Sequence, residues 1–188
     1  MFNILTDTFP DSIMVGDEKC LLKTHFKRWV AFEIIMTNPK LSDEIKAGAI
    51  LPLCLKKLPS RIDVAITACM KFYGGGKSEE KKGKSIAKPV YSFLYDSELI
   101  YSAFMSQYGI DLAVSDMHWY KFGALFKGLK ANNKIAEVMQ VRNMNLSEIK
   151  DDDLRRKYRR LKELWALPDL RSDSQKEKDI VRAFKQTI

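Results

Sequence analysis

Two histidines, three cysteines, a glycine-lysine-serine turn and an acidic run are the residues in this 188-residue sequence whose types could do chemistry. A general base needs hydrogen-bond reach to the proton it takes and a third group to orient it. Neither His25 nor His118 has a serine, cysteine or carboxylate at a spacing that argues for a triad. His25 follows a predicted helix cap at Thr24, and His118 falls in the first turn of a predicted helix, so both read as surface or cap-side residues. Cys20, Cys54 and Cys69 are scattered and lack C-x-x-C spacing, whereas a zinc site needs about four suitably placed ligands. They read as buried or half-buried reduced thiols. The stretch "GGGKS" ends like a phosphate-binding loop, but Lys71 stands where its first glycine belongs and a helix, not a strand, precedes it. "GKS" at 83–85 fails in the same way, with Ser78 in the required place. In "KDDDL", 150–154, three adjacent carboxylates point in different directions on a helix, and acids belong in a first turn in any case. The expectation is therefore a protein with no catalytic residue, cofactor or metal.

The basic signal is sharper. In "LRRKYRRLKELWAL", Leu154, Tyr158, Leu161 and Trp165 recur at helical spacing, and Arg155, Arg156, Lys157, Arg159, Arg160 and Lys162 fill the other faces. Such a run exceeds what solubility needs, and the whole chain carries a formal charge of +8. Arg155, Arg156, Arg159, Arg160 and Lys162 are the candidate partner-binding residues. An acidic protein surface fits them as well as DNA or RNA does. "MHWYKFGALFKGL", 117–129, looks at first like a platform for stacking bases. On a helix, however, Trp119, Phe122, Phe126 and Leu129 form one apolar stripe with Leu125 beside it, while Lys121 and Lys127 point elsewhere. A stacking surface would put the rings beside the cations. The stripe is core, and Gly123, Ala124 and Gly128 leave a small-residue side for another helix.

The elements that hold these residues follow from punctuation and period. Residues 13–22 read as two short strands around Gly16-Asp17. Thr24 is the expected cap of a helix whose face carries Phe26, Trp29, Val30 and Met36, widened by Phe32 and Ile34. Ser42 with Asp43 and Glu44 opens a second helix that Pro52 kinks or ends. A third starts near Ser60 with Ile62, Ile66, Cys69, Met70 and Tyr73 inward, and Gly74 stops it. Residues 74–89 are rich in glycine and lysine with almost nothing apolar, which predicts a flexible connector. Beyond it, 90–95 reads as a short strand, and Asp96 caps a helix bearing Leu99, Ile100, Phe104 and Tyr108 that ends at Gly109. Asp116 caps the aromatic stretch, Asn133 or Asn132 caps the next helix, and a long helix spans about 148–167.

Read in order, "YSFLYDSELIYSAFMSQYGIDL" (91–112), "MHWYKFGALFKGL" (117–129), "VMQVRNMNLSEIKDDDLRRKYRRLKELWALPD" (138–169) and "RSDSQKEKDIV" (171–181) follow a recurring pattern. Together with "SIMVGDEKCLLKTHFKRWVAFE" near the start, they resemble the bacteriophage gene-product-fifteen family. The most specific pieces are Tyr108-Gly109-Ile110-Asp111-Leu112, His118-Trp119 and Ala166-Leu167-Pro168-Asp169. His25 stands where an acidic residue is expected, Tyr120 where a second tryptophan is common, and Gln140-Val141 where Gly-Tyr precedes Arg142. The resemblance implies a small protein encoded just ahead of the tape-measure gene in long-tailed phages and prophages of Gram-positive bacteria. It further implies a tail assembly chaperone that binds the tape-measure protein and keeps it soluble.

The expected fold is mainly α with a small N-terminal β-hairpin, in two helical subdomains. Residues 1–73 form the first, 74–89 the linker, 90–170 the second, and 171–188 a charged C-terminal tail or helix. The expected partner is the tape-measure protein in the host bacterial cytoplasm, with other tail proteins or a second copy as further possibilities and no membrane. The alternative is a nucleic-acid-binding phage protein that uses the basic helix 154–165.

Overall fold

The computed structural model describes residues 2–76 and 89–170, and these form a two-stranded hairpin followed by seven α-helices. Most of the expected connector, 77–88, and the expected tail or helix at 171–188 lie outside the described residues. In the hairpin, β1 (Ser12–Val15) pairs antiparallel with β2 (Glu18–Leu21), with Ile13 opposite Cys20 and Val15 opposite Glu18. Gly16 sits at φ 61° and Asp17 stays at negative φ, the pattern of a turn with glycine at its first central position. Strand alternation then turns Val15 and Cys20 inward and leaves Met14 and Leu21 exposed. The free side of β2 is covered by the end of the second helix: Lys23 donates its N–H to the Cys54 carbonyl at 2.7 Å, and Lys56 donates to Leu21 at 2.9 Å.

Three helices complete the N-terminal segment: α1 (Phe26–Thr37), α2 (Asp43–Cys54) and α3 (Ile62–Tyr73). Ser42 caps α2 as expected, its hydroxyl accepting from the Ile45 N–H at 3.4 Å. Pro52 lies in the last turn of α2, which ends two residues later at Cys54. The buried residues of α3 are Ala65, Cys69 and Phe72; of the expected set Cys69 is buried and Ile66 and Tyr73 pack partly buried against the core, whereas Ile62 and Met70 are exposed. The helix is turned by its neighbours, because Phe72 packs on Trp29 with ring centroids 4.5 Å apart.

The second segment contains α4 (Ser97–Tyr108), α5 (Trp119–Lys127), α6 (Lys134–Asn143), a single 3-10 turn (Leu146–Glu148) and α7 (Asp152–Leu164). The expected strand at 90–95 is not there. No described strand lies beside it to pair with, and Ser92 instead folds the backbone into a turn, its hydroxyl accepting from the Leu94 N–H at 3.3 Å. Two expected caps also move. His25, not Thr24, caps α1, with its Nδ1 accepting from the Lys27 N–H at 3.2 Å. His118, not Asp116, caps α5, with its Nδ1 accepting from the Tyr120 N–H at 3.0 Å. A neutral imidazole has one bare nitrogen, which serves a free helical N–H as a carboxylate would.

These two caps meet. His25 and His118 form an isolated antiparallel bridge, in which Phe26 donates to the Met117 carbonyl and Trp119 to the Thr24 carbonyl, both at 2.9 Å. The far nitrogens also reach backbone: His118 Nε2 lies 3.1 Å from the Pro10 carbonyl, and His25 Nε2 lies 3.2 Å from that of Ser115. The bridge sets α1 and α5 side by side, so that Phe122 stacks on Phe26 at 4.9 Å and on Phe104 at 5.1 Å. Apart from Val138, the buried hydrophobic residues of both segments accordingly belong to one cluster running from Val15 to Ile135, and the two expected subdomains share that core. Glu33 of α1 is part of the seam. It receives the Tyr73 hydroxyl, lies beside Tyr91, and is pushed up to about 7 by burial.

The aromatic stretch is inside, as its period predicts: Trp119 and Phe122 are buried, and Leu125, Phe126 and Leu129 pack against the cluster. Of its small residues, Gly128 is approached by the Tyr108 hydroxyl, 3.2 Å from where a Cβ would stand, whereas nothing approaches Gly123. Trp119 also donates its indole N–H to the Tyr73 carbonyl at 3.0 Å. Replacing it with alanine removes a buried ring and leaves that carbonyl without its partner. Trp119→Ala is expected to lower stability by about 3–5 kcal/mol, read as a large fall in the thermal midpoint. An unchanged midpoint would place the ring outside the core.

The His118 cap has a pH consequence. Burial lowers its pKa from the ordinary 6.5, against the opposing effect of the Pro10 carbonyl. The fold thus favours the neutral ring, so His118 contributes stability above that ordinary value and loses it as pH falls through the lowered one. Glu33 works in the other direction: its pKa is raised from 4.5 to about 7, so stability present at low pH is lost as pH rises between those values. His118→Asn keeps a capping side chain and removes one titration while leaving Glu33 in place. The stability advantage of wild type over this variant, from urea unfolding, is expected to shrink between about pH 7.5 and about pH 5.5. An advantage that grows over the same interval would contradict the neutral cap.

Candidate functional site

Among the described residues, the histidines, cysteines and acids singled out in the sequence make structural contacts, whereas Lys77-Ser78 and Gly83-Lys84-Ser85 lie outside the described residues. Both histidines cap helices. Cys20, Cys54 and Cys69 are free and buried, and burial pushes the Cys54 and Cys69 thiols up to about 12, so they pack as protonated small apolar groups. The acidic run starts α7: the Asp151 carboxylate accepts from the Leu154 N–H at 2.7 Å, Asp152 pairs with Arg155 at 2.7 Å, and Asp153 pairs with Arg156. Among the described residues no group of three or more histidines, cysteines and acids is placed to hold a metal ion. None of their helices is long and apolar enough to cross a membrane.

What remains is the surface of α7, and its geometry divides the five candidate cations. Arg155 is half-buried and fastens the helix to the chain before it, with Nε donating to the Ile149 carbonyl at 2.9 Å and Nη2 to that of Lys150 at 3.3 Å. Lys162 does the same further along, donating to the Met144 carbonyl at 2.5 Å. Arg156 is exposed and paired within its own helix to Asp153. Arg159 and Arg160 are exposed, with no hydrogen bond or ion pair among the described residues. Of the five, the cations free to meet a partner are thus these two, with the exposed Lys157 beside them and Arg156 held only by a solvated pair of the kind worth about 0.2–1 kcal/mol.

The apolar stripe of α7 is shallower than its period suggests. No residue of the helix is buried: Tyr158 and Leu161 are half-covered, Leu154 is 43% exposed and Leu164 is 72% exposed. A helix so lightly seated needs another anchor, and Arg142 supplies it from the last turn of α6. Its Nε donates to the Trp165 carbonyl at 2.6 Å, just past the end of α7, and its guanidinium grips both Asp96 oxygens at 2.6 and 2.9 Å. Nη1 also reaches the Val90 carbonyl at 3.1 Å. The Arg142 and Asp96 side chains are 9% and 4% exposed, so the pair is screened little by solvent. Removing one partner of such a pair typically costs about 3–5 kcal/mol, because the other charge is left buried alone.

Asp96 holds the N-cap position of α4 as expected, but its carboxylate makes no capping bond and instead accepts from Arg142 and from the Ser92 N–H at 2.8 Å. The missed signal was periodic: Arg142 follows Ile135 and Val138, both buried, at the spacing of one helical face. A charge on that face needs a buried partner. Asn133 holds the N-cap position of α6 as expected, but its amide donates to Gln107 at 2.6 Å and makes no capping bond.

The site is therefore an exposed, amphipathic, cationic helix held from behind by a buried arginine. No curated protein and no solved structure matches the chain. The family model described as Bacteriophage Gp15 protein matches residues 5–167, which take in the hairpin, the shared aromatic core, Arg142 and all of α7. With most of its length matched, this chain belongs to the Bacteriophage Gp15 protein family.

Proposed function

We propose that this phage protein is a non-enzymatic tail assembly factor that binds the tape-measure protein in the host cytoplasm and keeps it soluble until the tail tube forms. The observation that carries the reading is α7: a helix with free arginines on one side, partly open leucines on another, and no buried residue of its own. Such a surface can take an amphipathic helix through its apolar edge while the cations meet acidic side chains and keep the complex charged. Membership of a phage family and the excess of positive charge support the reading. A Gram-positive host belongs to the same proposal.

The structure also decides which substitutions test it. Arg155 and Lys162 hold α7 in place, so changing them would disturb the fold. Arg159→Gln, Arg160→Gln and Leu164→Ser alter only exposed groups. The triple variant should keep the wild-type thermal midpoint and leave several-fold less of a co-expressed tape-measure fragment in the soluble fraction. The contrary result is unchanged solubilisation together with salt-steep nucleic-acid binding that the variant weakens. Under that outcome the salt slope would fall by about 0.7–0.9 per lost phosphate contact, and α7 would be a nucleic-acid surface.

A further inference from the structure

An apolar groove of about 390 Å³ opens between α1 and α4. The buried rings of Phe26 and Phe122 form its floor, Val30 and Tyr101 line it, and Ser97 and Glu98 form a rim. Leu112 and Ala113 also line it, and the next residue, Val114, is 80% exposed. Glu98 is exposed, and Asp111 lies at the same mouth, accepting from the Tyr101 hydroxyl at 3.1 Å and the Ala113 N–H at 2.8 Å. Neither acid makes an ion pair among the described residues, and Lys27 nearby is turned to the Ala113 carbonyl at 2.5 Å. This is an apolar slot with acids beside it, of the size that takes a few side chains.

The protein carries the complement of this slot on α7. Leu164, the last residue of that helix, is the most exposed of its leucines. Arg160 stands one turn before it and Lys157 one turn before that, so two cations and an open apolar side chain follow one another along the helix. Both cations are exposed and make no ion pair among the described residues. Within one chain α7 is not free to turn into the groove, because Arg142 holds the Trp165 carbonyl at its end while Arg155 and Lys162 fasten its flank. The two surfaces meet only between copies.

We propose that the groove between α1 and α4 takes α7 of a second copy, with Leu164 seated over Phe26 and Phe122, Arg160 paired with Glu98 and Lys157 turned to Asp111. Charge selects this occupant: an acidic helix, the kind that α7 itself attracts, is repelled by Glu98 and Asp111, whereas α7 is drawn to them. Groove and helix are different patches, so the contact is head-to-tail and each copy keeps one of the two open for the next. A contact of a few side chains belongs to the weak, transient class of interface. It shares α7 with the function proposed above, so a neighbouring copy and a partner on that helix compete, but it exists whether or not that partner does.

Sedimentation equilibrium of the full-length protein tests the contact with no other molecule present. At low salt the weight-average mass of the wild type should rise above the 21.7 kDa monomer as concentration climbs to several hundred micromolar, and added salt should lower it again. Glu98→Arg and Arg160→Glu each set like charges against one another and should weaken association by about tenfold or more. Mixing these two variants in equal amounts restores opposite charges at every contact and should recover association, as should both changes in one chain. Leu164→Ser leaves the charge unchanged and should weaken association several-fold at an unaltered thermal midpoint. A wild type that stays monomeric throughout, a silent Glu98→Arg, or a mixture that associates no better than its components would overturn the proposal.

Discussion

The antiparallel bridge between His25 and His118 governs where the rest of the core can lie. Two backbone hydrogen bonds fix the starts of α1 and α5 against each other, and each imidazole caps its own helix while its far nitrogen reaches a backbone carbonyl. Energetically the bridge is small, since a net hydrogen bond contributes about 0.5–1.5 kcal/mol. Burial of Phe26, Trp29, Phe104, Trp119 and Phe122, at about 1.5–3 kcal/mol per large side chain, outweighs it. The division of labour follows from those magnitudes. Burial stabilises, and the bridge decides which rings meet. With α1 and α5 in this register, Phe122 is sandwiched between Phe26 and Phe104, and Tyr73 reaches Trp119 at 5.1 Å.

A second constraint connects this core to the binding surface. The Asp96–Arg142 pair sits where the start of α4, the end of α6 and the end of α7 converge, and its bonds leave α7 projecting with little burial of its own. A lightly seated helix can present cations and leucines together without its stability depending on covering them.

Local signals in the sequence carried most of the elements. Gly16, Ser42, Gly74 and Gly109 mark real ends because their effects are confined to one turn, and the stripe from Trp119 to Phe126 is inside because its period is strong. What was not legible depends on partners distant in sequence. Thr24 and Asp116 look like better caps than histidine, but His25 and His118 are the residues held by the bridge and by carbonyls across the fold. Residues 90–95 alternate like a strand and have no strand to join. Asp96 looks like a cap until Arg142 arrives from another helix. At the candidate site, the run of cations was plain, but periodicity alone cannot tell Arg155 and Lys162, which hold the backbone, from Arg159 and Arg160, which face solvent.

The claim on which this account rests is that the two halves of the chain share one core. A specific protease site inserted between Gly83 and Lys84, followed by complete cleavage and size-exclusion chromatography without denaturant, tests it directly. The account predicts that the two fragments elute together at the position of the uncut protein and separate only when urea is added, because the shared rings and the His25–His118 bridge hold them without the covalent connection. Elution of two separate folded fragments under native conditions would contradict it.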